Sequence, residues 1–185
     1  MSLRHALLGF LAHRPLSGYD LKRAFDQSAA FFWTADKAQI YRTLAELQAA
    51  GQVEVERVPG GPRPDRKVQH LTPAGRAALD AWLRAPTDPP ARREPFVLKL
   101  FLSDLLPPDD RAALIAVELE RARAELAALE AIAAELRASP EPIPAGPALA
   151  LLAGQRSAAA WVGFLEEAGA WASSEPALGD PRQSP

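Results

Sequence analysis

The chain contains no cysteine, which excludes disulfides, thiolate nucleophiles and cysteine-bound zinc. Histidine is nearly as scarce: His5, His13 and His70 are the only three. None stands in a zinc-binding or nucleophile–base spacing, so neither a metal ion nor a catalytic centre is expected. The glycines nowhere form a phosphate-cradling loop followed by lysine. No apolar run of membrane-spanning length stands out, and a cleavable leader is not expected because Pro15 and charged residues follow the N-terminus too closely. Lysine is also rare, with 4 against 17 arginines in 185 residues. These absences point away from enzymes, cofactor carriers and membrane proteins, and toward a cytoplasmic binding protein.

What is present is unevenly distributed. The net charge of −2 hides 12 basic against 8 acidic residues in positions 1–84 and 9 against 15 in the remainder. A basic first half suits a polyanion such as double-stranded DNA, and an acidic second half suits something else. Within the basic half, Ile40, Leu44 and Leu47 recur at helical spacing and form one buried stripe. Ala35, Ala38, Gln39, Arg42 and Glu46 lie opposite. Gln39 can pair bidentately with adenine and Arg42 with guanine, and small neighbours permit close approach. Taken alone, such a face also suits a plain solvated helix surface. Gly51 is placed to end that helix in a left-handed cap. From Gln52 to Val58 apolar and charged residues alternate as in a half-buried strand. A break follows at Pro59, Gly60, Gly61, Pro62 and Pro64, and Arg66 to Leu71 is again β-like, giving a hairpin with a long tip. Arg63, Arg66 and Lys67 cluster there, within reach of phosphates or a minor groove, or as a solubilising loop. Thr72 and Pro73 then start a helix that carries Leu79, Trp82 and Leu83.

Three short helices, a basic hairpin and a capped helix make a winged helix-turn-helix. The segments WTADKAQIYRTLAEL (Trp33 to Leu47), GQVEV (Gly51 to Val55) and RPDRKVQHLTPAGRAALDAWL (Arg63 to Leu83) resemble the PadR family of bacterial transcriptional regulators. EPFVLKLFL (Glu94 to Leu102) and the tryptophan-bearing last helix resemble the larger subgroup that contains the AphA-type virulence activators. The resemblance spans residues 3 to about 173. Two positions depart from it: Gln69 and His70 replace an aromatic residue before Leu-Thr, and Asp36 and Lys37 stand where the subgroup often has Ser and a polar partner. The resemblance implies a mainly α fold with a small β-hairpin wing, in which Tyr19, Lys22, Arg23, Lys37, Gln39, Tyr41, Arg42, Arg63, Arg66 and Lys67 face DNA.

Residues 85–106 read as a proline-rich linker and an apolar bridging segment. In residues 107–173, Ile115, Leu119, Ala122, Leu126, Leu129, Ala133 and Leu136 repeat at 4 and 3, a heptad seam of about three heptads. After a break from Pro140 to Pro147 a second seam runs through Ala158, Trp161, Leu165, Ala168 and Ala172. Two such helices can fold back on each other, leaving apolar surface for a second copy or for Phe96 to Leu106. The resemblance implies C-terminal helical dimerisation, so Ile115, Leu119, Leu126, Leu129, Leu136, Trp161 and Leu165 are expected in a homodimer interface. Residues 174–185 read as a disordered tail. Trp33, Trp82, Phe96 and Trp161 either line a pocket for a small aromatic effector or are simply core. The expectation is a dimeric repressor acting at an inverted-repeat operator; the alternative is a winged-helix ligand-binding or interaction module without DNA binding.

Overall fold

In the first part of the chain, helices α1 (Ser2–His13), α2 (Gly18–Ser28), α3 (Lys37–Ala49) and α4 (Pro73–Arg84) surround strands β1 (Leu16–Ser17), β2 (Val53–Val58) and β3 (Arg66–Leu71). The computed structural model describes residues 2–28, 35–59, 66–87, 94–140 and 142–174. Trp33, Arg63 and the tail beyond Ser174 lie outside the described residues. By its contacts the chain divides into two units, Met1–Pro89 and Pro90–Pro185.

The core of the first unit joins Leu7, Leu8 and Leu11 of α1, Leu21 and Phe25 of α2, the α3 stripe Ile40, Leu44 and Leu47, then Val53 and Leu79. Full burial of each such side chain contributes about 1.5–3 kcal/mol, which is how four short helices hold one arrangement. Ala35 belongs to this core as well. It was expected on the opposite, DNA-facing side, but it precedes the helix and does not follow the helical period.

The hairpin forms as the alternation predicts, β2 against β3, with Val53 opposite Leu71 and Val58 opposite Arg66. Hairpin periodicity does not disclose β1, two buried residues that pair with β3 on its other edge and give the order β1-β3-β2. Gly51 takes a φ of 67°. Its N–H donates to the Gln48 carbonyl at 3.0 Å and that of Gln52 to the Leu47 carbonyl at 2.9 Å, closing α3 in a Schellman motif. Thr72 ties this turn to α4: its hydroxyl donates to the Gly51 carbonyl at 2.7 Å and accepts from the Gly75 N–H at 3.1 Å. A β-carbon on Gly75 would lie 2.2 Å from the Gln52 carbonyl oxygen, so only glycine lets α4 pass this close.

The second unit begins with α5 (Pro95–Phe101) and a 3-10 turn (Ser103–Leu105), followed by α6 (Pro108–Ala138) and α7 (Ala145–Ser174). Helices α6 and α7 form an antiparallel hairpin, as the Arg123–Glu166 ion pair at 2.8 Å and the approach of Gly169 to Ile115 require. Ile115, Ala122, Leu129 and Ala133 of the first seam are buried, and Leu119, Leu126 and Leu136 are half-buried. On α7 the buried positions are Leu151, Val162, Leu165 and Ala172, with Trp161 and Ala168 partly covered. Helix α7 starts before Pro147, inside the expected break, because proline in a first turn gives up no helical hydrogen bond. By length and composition the span Ala145–Ala172, with a mean hydropathy of 1.2, could cross a membrane. Arg156, Glu166 and Glu167 interrupt the run, so it is not continuously apolar. Its seam packs against α6.

Candidate nucleic-acid interface

Helix α3 is held at its start by a capping box. Asp36 Oδ1 accepts from the Gln39 N–H at 2.7 Å, and Gln39 Oε1 accepts from the Asp36 N–H at 3.2 Å. Gln39 therefore has a local task, and it must release that oxygen to engage adenine with both ends of its amide. Ala38, Gln39, Arg42, Ala45 and Glu46 lie exposed on the side away from Ile40, Leu44 and Leu47. The Tyr41 ring lies so close to Gly18 that a β-carbon there would come within 2.8 Å of it. The Lys37 ammonium sits 5.9 Å from the centre of the same ring.

Between α3, the start of α2 and the hairpin runs a groove of about 880 Å³. One wall is Tyr41, Leu44, Ala45 and Gln48 of α3; the other includes Val55, Arg57, Lys67 and Gln69 of the hairpin; Ser17 to Asp20 and Arg66 complete it. Strand register explains the charge of the hairpin wall. Arg57 stands directly opposite Lys67, and like charges facing each other across a ladder destabilise it unless an anion intervenes. Among the described residues neither cation has a carboxylate partner. Alternation puts Glu54 and Glu56 on the hairpin's other face, and Glu56 is bonded to His70 at 2.8 Å. The acidic residues of β2 thus do not oppose the cations.

The remaining expected DNA-facing residues are placed variously. Tyr19 is 67 % exposed at the groove. Lys22 is paired with Asp26 one turn along α2. Arg23 lines a separate recess with Arg14, Pro15 and Asp20. Arg66 donates to Asp20 at 2.8 Å. The Ser17 hydroxyl, foremost, with its further bonding and Arg66, holds the Asp20 carboxyl below its ordinary value against the opposing effect of burial. Sequence reasoning missed Arg57. It was legible in principle, since extending the register two residues from Val55 puts it across from Lys67.

Of the expected aromatic set, Trp33 lies outside the described residues, and the others are described each within its own unit. Trp82 stacks on His5 at 4.6 Å in the first unit. Phe96 meets Trp161 edge-on at 5.8 Å in the second, where Trp161 also stacks on Phe164 at 5.1 Å. Of the expected interface residues, Ile115, Leu129 and Leu165 are buried, and Leu119, Leu126, Leu136 and Trp161 are half-buried. The large apolar residues left exposed in this unit are others: Leu98, Phe101, Leu105, Val117, Leu149 and Leu152 among them.

Comparison with known proteins agrees with this architecture. Residues 7–81 match the model of the transcriptional regulator PadR-like family, and residues 92–170 match the virulence activator alpha C-terminal family. The negative transcriptional regulator PadR of Bacillus subtilis is 31 % identical over 142 residues, 76 % of this chain and 78 % of that protein. A probable transcriptional regulator of Mycobacterium tuberculosis is 43 % identical over 89 residues; the match spans 48 % of this chain and only 47 % of that relative. Bacillus subtilis PadR in complex with operator DNA superimposes with a TM-score of 0.84 at 28 % identity, covering 93 % of this chain and 99 % of that one. Its complex with p-coumaric acid gives 0.79 at 28 % identity, over 94 % and 96 %. The Vibrio cholerae virulence activator AphA gives 0.76 at 28 % identity, over 94 % and 99 %.

Proposed function

The chain belongs to the PadR-like family of transcriptional regulators, and on that premise we propose that it is a cytoplasmic homodimeric repressor of an inverted-repeat operator, released by a small aromatic ligand. The family consists of DNA-binding regulators, not enzymes. The observation that carries the finer reading is the Arg57–Lys67 pair, two facing cations on the groove wall across from α3. A phosphate between them converts mutual repulsion into two charge-assisted bonds. The exposed side of α3 then lies along the major groove, where Arg42 and Gln39 meet base edges, while Arg57, Lys67 and Arg63 clamp the backbone.

What the second unit leaves uncovered supports the dimer reading. A two-helix layer with α5 exposes the large apolar residues Leu98, Phe101, Leu105, Val117, Leu149 and Leu152, which a second copy can cover. A second copy covers that face, with the half-buried Leu119, Leu126, Leu136 and Trp161 at its margin. The cluster of Phe96, Trp161 and Phe164 supplies flat apolar surface for an aromatic effector such as the p-coumaric acid bound by the Bacillus subtilis relative. Footprinting on DNA upstream of its own gene tests the reading. Two protected half-sites of opposite orientation, about 10 bp or a multiple apart, are expected. A single unpaired footprint, or none, contradicts it.

A further inference from the structure

A groove suited to polyanions contains a carboxylate. Asp20, in the first turn of α2, shares the groove with Arg57, Arg66 and Lys67. It is also firmly built in. Its N–H donates to Ser17 Oγ at 3.2 Å, the Ser17 hydroxyl donates to Asp20 Oδ2 at 2.6 Å, and Arg66 Nη2 donates to the same oxygen at 2.8 Å. Ser17 is buried and fixed in turn by pairing with Val68 on β3. The result is a polar strap from α2 to the wing between residues 46 positions apart in sequence.

On electrostatics alone this residue is a liability, because an ionised carboxylate repels phosphate on DNA of every sequence. The compensation is geometric. Arg66 is 62 % exposed, and a long side chain at that exposure is otherwise free to sample many rotamers and meet any nearby phosphate. Bonded to Asp20 through one nitrogen, its planar fork is fixed relative to α2 and still has other N–H donors for a phosphate. Preorganisation of this kind favours the one docking register in which the recognition helix also fits.

Building on the DNA-binding reading above, we propose that Asp20 is a specificity-determining positioning residue: it fixes Arg66 and the wing to α2, lowering affinity for DNA in general and raising discrimination for the operator. Three variants test this by fluorescence-anisotropy titration against operator and random duplexes. Asp20→Ala should weaken operator binding about threefold, the scale of an exposed ion pair. It should strengthen random-DNA binding about twofold, since one repelling charge per protomer is gone. Arg66→Ala should weaken both. In the Arg66→Ala background, Asp20→Ala should no longer weaken operator binding, because the strap is already cut.

Opposite signs on the two DNAs are what neither simpler role produces. A purely structural Asp20 lowers both affinities, and a purely repulsive one raises both; either result overturns the proposal. So does an operator loss that persists undiminished without Arg66. If the native protein itself fails to discriminate operator from random DNA, the regulator reading fails first. If it discriminates and Asp20→Ala changes nothing, only the strap fails. Without DNA, the Arg66 side-chain ¹⁵N–¹H resonances should shift in Asp20→Ala; unchanged resonances contradict the bond itself.

Discussion

The two units are of similar length but enclose very different interiors. Among the described residues, the eight largest fully buried side chains place Leu7, Leu8, Leu21, Phe25, Ile40, Leu47 and Val53 in the first unit and only Leu165 in the second. Four helices and a sheet can surround many side chains, whereas the α6–α7 hairpin encloses a narrow seam of Ile115, Ala122, Leu129, Ala133, Leu151, Val162, Leu165 and Ala172 and leaves other apolar residues facing outward. Charge divides the same way, with excess base in residues 1–84 and excess acid beyond. A finished core with a charged groove suits a polyanion, and an unfinished core suits another copy of the same chain.

The most drastic way to test that contrast is to delete residues from Ala148 onward. Loss of α7 uncovers Ile115, Ala122 and Leu129 of α6, so the second unit should aggregate or fail to associate in sedimentation. The first unit has its own core, and its helical content should persist. Next in size is Gly75→Ala, which drives a methyl group into the Gln52 carbonyl. It should destabilise the first unit by about 1–3 kcal/mol in urea unfolding and leave association of the second unit unchanged. Changing Gln39 or Arg42 to Ala should cost about 1–3 kcal/mol on operator DNA and blur sequence preference, without reducing random-DNA affinity equally. Equal losses on both DNAs would mean that neither residue reads bases.

The smallest effect concerns acid. The folded-state pKa of Asp20 lies below its ordinary value, led by the Ser17 hydroxyl. Its stabilisation is therefore present above the unfolded-state pKa and is lost as pH falls through the folded value. Asp20→Asn should be slightly less stable than native protein near neutrality, and urea midpoints of the two should converge at the acid end. A gap that widens on acidification would reverse the sign assigned here.

Much of the fold was legible because it is written in period and punctuation. The α3 stripe, the left-handed Gly51, the Thr72 cap and the first helical seam are local signals, and the structure places each where its spacing puts it. Long-range choices were not legible. Two-residue β1 has too short a run to show alternation. Val162 is buried beside the expected Trp161, which is only half-buried, a difference that the spacing of the seam does not show. In the groove, Lys67 and Arg66 stood out as cations, but Arg57 became visible only through strand register. Asp20 became visible only once Ser17 and Arg66 were seen to converge on it.

The claim that the groove is a phosphate clamp is tested most directly by salt. Native protein and a variant with Arg57, Arg66 and Lys67 all changed to Ala should be titrated against DNA from the upstream region at 50 to 200 mM salt. With about six phosphates neutralised per dimer, native affinity should fall roughly 10³-fold over that range. The variant should show a log–log slope flatter by about one unit for every phosphate it no longer neutralises, with its oligomeric state unchanged. A native affinity that ignores salt, or a variant slope identical to the native one, would contradict the account.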